Sequence, residues 1–259
     1  MRVVVVGASS GLGRCIGIGL TERGEDVALL ARRKDRLDRA AAEAGDRAVV
    51  IECDVTDEGS CTKAVHEAAA ALGGIDALVY TPAIGPLARL EDTDAATWHR
   101  VFDTNVIGAS LVTAAALPYL TKGAGRAIYL SSVTAFLTPP WPGLGAYAVS
   151  KAALDKLVEA WRMEHPEIGF TRLTVGDCAG GQGDSMTGFV EGWDAELAIK
   201  LHPIWASRQY LSGSLFDVED LVATVHALLQ HGPTVAVPSM TLLPRTPALH
   251  ETSEAGRGP

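Results

Sequence analysis

The chain of 259 residues is 47% hydrophobic and 20% charged, enough apolar material to bury one full α/β core and too much for a disordered segment. A formal net charge of -9 with an isoelectric point near 5.2 excludes the clustered basic surface on which a nucleic-acid partner depends. Four cysteines (Cys15, Cys53, Cys61, Cys178) and seven histidines lack the paired short spacing of a zinc site or redox dithiol, so no metal and free thiols are expected.

In chain order, Met1-Arg2 leads straight into Val3-Val4-Val5-Val6, a β-branched run that stops at Gly7. It reads as a strand buried on both faces of a parallel sheet. The run is far too short for a signal core or a membrane span, so a cytoplasmic protein with no membrane partner is expected. Gly7-Ala8-Ser9-Ser10-Gly11-Leu12-Gly13 follows, then a stretch of helical character through Leu20 and Arg23. A turn with so little side-chain bulk lets backbone N–H groups approach a pyrophosphate, and the positive end of the next helix favours its charge. Ser9 and Ser10 add hydroxyl donors. Among 27 glycines three close ones mean little; the strand, turn and helix around them carry the signal.

Further apolar runs at Val27-Ala28-Leu29-Leu30, Ala48-Val49-Val50-Ile51, Ala77-Leu78-Val79-Tyr80, Ala127-Ile128-Tyr129-Leu130 and Phe170 to Val175 read as strands. Thr234 to Val237 is the candidate that closes the sheet. Helical stretches separate them, as from Thr62 to Leu72, where Ala64, Val65, Ala68, Ala69 and Leu72 recur at helical spacing. Alternating strands and helices imply right-handed crossovers and a doubly wound α/β fold, a central parallel sheet with helices on both faces and ligands at the carboxyl ends of the strands. One domain over 1–243 is expected, with a poorly ordered tail over 244–259 where Pro, Gly, Thr and charge collect.

Tyr147-Ala148-Val149-Ser150-Lys151 sets a phenol and an ammonium on one face of a helix. A free phenol has a pKa of roughly 10, so proton transfer near neutrality calls for about 4 kcal/mol of phenolate stabilisation, which a neighbouring cation supplies. The same spacing also describes an ordinary surface pair. Ser131-Ser132, at the end of the strand Ala127 to Leu130, adds a hydroxyl at the edge where ligands bind.

Taken together, the glycines spaced by three residues and then one, the Asn105 segment Asp103-Thr104-Asn105-Val106-Ile107-Gly108, Ser132-Val133-Thr134-Ala135-Phe136 and the Tyr147/Lys151 pair resemble the short-chain dehydrogenases/reductases over roughly 1–175. The resemblance implies a Rossmann fold and a homodimer or homotetramer. It also implies an oxidoreductase acting on a small carbonyl or alcohol, in which Tyr147 is the acid/base, Lys151 holds the nicotinamide ribose and Ser132 holds the substrate oxygen, with Ser131 the other candidate. Asn105 would hold a water that relays protons to the lysine. The cofactor-binding set is Gly7, Ser9, Ser10, Gly11, Leu12, Gly13, Arg32, Arg33, Asp54, Val55, Asn105, Tyr147 and Lys151, with Asp54-Val55 at the adenine.

Where NAD-dependent relatives carry an acid after the second strand, this chain has Ala31-Arg32-Arg33. Guanidinium groups fork onto a ribose 2′-phosphate that an acid would repel, which implies NADP(H) over NAD(H). Arg32 is the first choice for that contact and Arg33 its assistant; the run Arg32 to Arg36 also reads as the solvated opening of a surface helix. The family pattern fails at two turns. Tyr80-Thr81-Pro82-Ala83 replaces Asn-Asn-Ala-Gly, and Gly176-Asp177-Cys178 replaces the Pro-Gly turn at the nicotinamide. The stretch from about 180 to 213, with Met186, Phe189, Trp193, Trp205 and Tyr210, is expected as a substrate lid whose aromatics either line an apolar site or pack the lid down. An epimerase or dehydratase on the same scaffold, and a dinucleotide sensor without turnover, are the alternative functions.

Overall fold

The computed structural model describes residues 1–245; the tail expected over 244–259 therefore lies almost wholly outside the described residues. Seven parallel strands form one sheet in the order β3-β2-β1-β4-β5-β6-β7. They are β1 (Arg2–Val6), β2 (Asp26–Ala31), β3 (Ala48–Glu52), β4 (Ala77–Tyr80), β5 (Arg126–Ser132), β6 (Gly169–Val175) and β7 (Ser239–Leu242). Between them run α1 (Gly11–Glu22), α2 (Lys34–Ala44), α3 (Glu58–Leu72), α4 (Ala95–Phe102), α5 (Gly108–Leu120), α6 (Gly145–Glu164), α7 (Ala195–Ser207) and α8 (Val218–Leu229).

The unbroken apolar strands follow from burial on both sides. In β1, Val4 and Val6 face one core with residues of α3, α5 and α6, while Val3 and Val5 face a second with residues of α1 and α8. Successive side chains of a strand point to opposite faces, so each position must be apolar when both faces are covered. Each such valine removed from water contributes roughly 1.5–3 kcal/mol.

β1 pairs with β2 on one side and β4 on the other, so the chain winds away from β1 in both directions and leaves a crevice at the carboxyl ends of these strands. The glycine loop sits there. The alternation expected from sequence is present, with one correction at the far edge. Thr234 to Val237 is irregular backbone following a turn closed by Val235 N to Gly232 O at 3.1 Å, and the strand that pairs with β6 begins at Ser239. Val237 serves instead as acceptor for Thr171 Oγ1 at 2.7 Å.

α4 and α5 join through a π-helical turn, Asp103–Ile107, into one long helix. By length and composition alone the run from Ala95 to Gly123 would suffice to cross a membrane. In the fold it is a flanking layer: Val101, Asn105, Ala109, Val112, Ala116 and Leu120 are buried, and α5 packs on α3. After β6 the chain crosses the carboxyl edge of the sheet as a separate flap. Leu201 and Trp205 of α7 pack on Leu87, Trp141 and Leu144 in a small third core.

Candidate active site

A groove of about 1300 Å³ follows the carboxyl ends of the strands from β2 across to β6. Ordinary small-ligand pockets occupy roughly 300–1,000 Å³, so it has room for a dinucleotide and a second molecule. Its floor at one end is the glycine loop. Gly7 has φ +86°, and a Cβ there would collide with Thr81 Oγ1; a Cβ at Gly13 would lie 2.5 Å from the Gly7 carbonyl oxygen. Only bare backbone fits, which leaves the N–H groups at the start of α1 open to an anion.

Thr81 explains the altered turn after β4. Its hydroxyl donates to the Val6 carbonyl at 2.7 Å, bracing the end of β1 from beneath the loop. In the sequence this turn shows only as a departure from the family pattern. Next to it, Ile84 exchanges two hydrogen bonds with the Asn105 amide, Ile84 N to Oδ1 at 2.8 Å and Nδ2 to Ile84 O at 2.9 Å.

Gly7, Ser9, Ser10, Gly11, Leu12, Gly13, Arg32, Arg33, Val55, Ser132, Tyr147 and Lys151 all line the groove. Two sequence candidates do not. Asn105 is fully buried in the π-helical turn, and its remaining amide hydrogen goes to Ser150 Oγ at 2.8 Å. It stands one layer behind Lys151 and ties α4–α5 to α6. Asp54 turns its carboxylate onto its own loop, accepting from Thr56 N at 3.0 Å and Thr56 Oγ1 at 2.8 Å, while Val55 and Thr56 face the groove.

At the end of β2, Arg33 Nη2 donates to Ser10 Oγ at 2.8 Å and Ser9 Oγ at 3.1 Å, closing a basic edge over the glycine loop. Arg36, in the first turn of α2, lines the same edge, a position that the charged run Arg32 to Arg36 does not by itself reveal. No carboxylate ends β2, whose last residue is Ala31.

β5 and α6 bring the reactive groups together. The Lys151 ammonium donates to the Leu130 carbonyl at 2.7 Å and lies 5.9 Å from the centre of the Tyr147 ring. Burial lowers the Lys151 pKa to about 8, with Asp155 opposing the fall. Contrary to the lowering expected from the sequence, burial pushes the Tyr147 phenol up to about 12, and only the Ser132 hydroxyl pulls it back. Ser132 Oγ already accepts from Thr134 N at 3.3 Å and Thr134 Oγ1 at 3.0 Å, which leaves its own proton available to donate. The arrangement is a protonated phenol, a hydroxyl donor and a desolvated cation at one end of the groove. It can polarise a carbonyl and deliver a proton to its oxygen.

The flap covers that end. Phe189 meets the Tyr147 ring edge-on at 4.8 Å, Trp193 meets Phe189 at 5.6 Å, and Trp193 Nε1 donates to the Gly85 carbonyl at 2.8 Å. Trp205 meets both Trp193 and Trp141. Trp205 of α7 packs in the small third core with Trp141 of the loop before α6, and both also line the groove. The opposite side of the flap is latched to the glycine-loop helix, where Arg14 bridges Ser185 Oγ at 2.5 Å and Glu43 at 2.6 Å.

The profile of the short chain dehydrogenase family matches residues 1–185. Among curated proteins, the chain is similar to 11-beta-hydroxysteroid dehydrogenase A of Sesamum indicum, 35% identical over 180 residues, which is 67% of this chain and 51% of that one. The chain spans about half the length of the curated relatives it matches. Among solved structures it is similar to a short-chain type dehydrogenase/reductase from Mycobacterium marinum, with TM-score 0.79, 25% identity and 93% of each chain covered. It also resembles the closed form of a serine dehydrogenase complexed with NADP+, with TM-score 0.78, 24% identity and 100% and 98% of the chains covered.

Proposed function

The chain belongs to the short-chain dehydrogenase family, and on that premise we propose that it is an NADP(H)-dependent oxidoreductase interconverting a carbonyl and an alcohol. The observation that carries this reading is the convergence of Ser132, Tyr147 and Lys151 in the groove whose other end is the glycine loop with its arginine edge. The bare backbone at Gly7 and Gly13 fits a pyrophosphate. Arg32, Arg33 and Arg36, with no carboxylate at the end of β2, fit a 2′-phosphate.

When bound, the reduced nicotinamide supplies the hydride. Ser132 holds the substrate oxygen as a hydrogen-bond donor, where negative charge develops. Tyr147, a protonated phenol at neutral pH, passes its proton to that oxygen. Lys151 steadies the phenolate that remains and offers donors to the ribose hydroxyls. Phe189 and Trp193 exclude water from the closed end. In the oxidative direction the same groups work in reverse, with Tyr147 as base. The aromatic walls favour an apolar carbonyl compound, and Ile107, exposed at the end of the π-helical turn, and Val149, exposed on α6, are part of the face on which a homodimer or homotetramer would form.

Tyr147→Phe should lower turnover of NADPH with carbonyl substrates by about 10²- to 10⁴-fold and leave NADPH binding, followed by fluorescence, within twofold. Retained turnover defeats the assignment. Net NADPH consumption also separates this reading from an epimerase or a sensor.

A further inference from the structure

On the side of Lys151 away from the groove lies a strip of buried polar atoms that hydride transfer does not use. β5 and β6 pair with Tyr129 opposite Arg172 and Ser131 opposite Thr174, and these alternate residues face α6. Toward them α6 turns Lys151 and, one turn later, Asp155, which is only 8% exposed. The nearest cation to its carboxylate is Arg172 Nη1 at 3.5 Å, an ion-pair distance. Neither Asp155 oxygen accepts a hydrogen bond, and Ser131 Oγ, Thr174 Oγ1 and Arg172 Nε are likewise without partners. Arg172 is held from its other side, its guanidinium 4.6 Å from the Phe136 ring.

Unpartnered buried polar atoms are few in native proteins and each calls for a reason. Stability does not supply one here, because a packed apolar residue commonly serves as well as a buried ion pair. The charged neighbours do. Burial raises the Asp155 pKa, while the charges of Arg172 and Lys151 pull it back; toward Lys151, Asp155 is the charge that opposes desolvation. The titratable groups on the carboxylate are thus Lys151 on its own helix and Arg172 on β6, while Glu159, which also acts on Arg172, is paired with Lys156. Asn105 has no free amide group to share in this task.

We propose that Asp155 is a positioning residue whose charge keeps Lys151 protonated at the nicotinamide end of the groove, with Arg172 keeping the carboxylate ionised. The inference rests on the hydride-transfer reading of the same site. It assigns to a pair outside the groove the control of the pH range in which the lysine works.

The test is the isosteric Asp155→Asn, with NADPH binding and kcat measured from pH 6 to pH 10. In the wild-type chain both should fall as pH rises through about 8, where Lys151 loses its proton. In Asp155→Asn that limb should move down by about one pH unit, so that kcat at pH 8 drops several-fold and KM for the carbonyl changes little. Asp155→Glu should restore it. A folded Asp155→Asn that keeps the wild-type limb, or loses the same factor at every pH, overturns the proposal. If the variant does not fold, the wild-type chain answers: the Asp155 carboxyl carbon resonance must show an inflection at the lysine's pKa near 8, and its absence overturns the proposal equally. Failure of the wild-type chain to bind NADPH at pH 7 would instead defeat the functional reading.

Discussion

Lys151→Met separates what the buried lysine does for chemistry from what it does to the fold. The ammonium is 2% exposed, and its pKa falls from 10.5 to about 8. Each pKa unit corresponds to about 1.4 kcal/mol, so the charged lysine disfavours the folded state by about 3 kcal/mol wherever it is protonated in both states. Methionine fills nearly the same volume without the charge but loses the bond to the Leu130 carbonyl, about 1 kcal/mol. The variant should therefore be more stable at pH 7 by about 2 kcal/mol while losing activity.

The sign depends on pH. A base with a depressed folded pKa leaves the unfolded chain holding more protons between about 8 and 10.5, so wild-type stability gains from this group as pH rises through that window. The methionine variant lacks the gain, and its advantage should shrink from pH 8 and disappear by pH 10.5. Urea unfolding of both proteins at pH 7, 8.5 and 10 reads the difference directly. A variant less stable than wild type at pH 7, with a difference independent of pH, would refute the claim that Lys151 is a desolvated cation under strain.

Two further outcomes test the cofactor end. Gly13→Ala places a Cβ 2.5 Å from the Gly7 carbonyl oxygen and against Thr81 Oγ1; overpacking of this kind costs about 1–3 kcal/mol, and thermal unfolding should show it together with weakened NADPH binding. Gly24→Ala, where nothing lies within 4 Å but φ is +90°, should leave NADPH binding unchanged and so serves as the control. Replacing Arg32 by Asp and Arg33 by Ala should weaken NADPH relative to NADH in a fluorescence titration by about 10-fold or more, the worth of one charge-assisted pair. An unchanged ratio rules out the phosphate contact.

What could be read from the sequence divides along physical lines. Strands β1 to β6 and the glycine loop were legible because burial on both faces dictates residue type position by position, and bare backbone dictates glycine. β7 was misplaced because it is the sheet's edge. Ser239–Leu242 alternates between exposed and half-buried residues, whereas the signal sought was an unbroken apolar run, and Thr234 to Val237 imitates one. Thr81 was visible as a departure from the family pattern, yet its hydroxyl bond to Val6 joins residues 75 apart, and no local rule predicts that. Ser132, Tyr147 and Lys151 were found through type and order along the chain.

The charge state of those groups was not legible. Asp155 and Arg172 sit on different elements and meet only because β6 lies beside β5 beneath α6; in sequence each reads as a surface charge. A spacing of four residues places an ammonium beside a phenol, but whether it stays an ammonium depends on desolvation and on a carboxylate one turn further along. Any chain that keeps the Tyr147 and Lys151 pair but packs an apolar side chain at position 155 should therefore reach the same geometry with its alkaline limit at lower pH. The position to compare among relatives is thus one that carries no group touching substrate or cofactor.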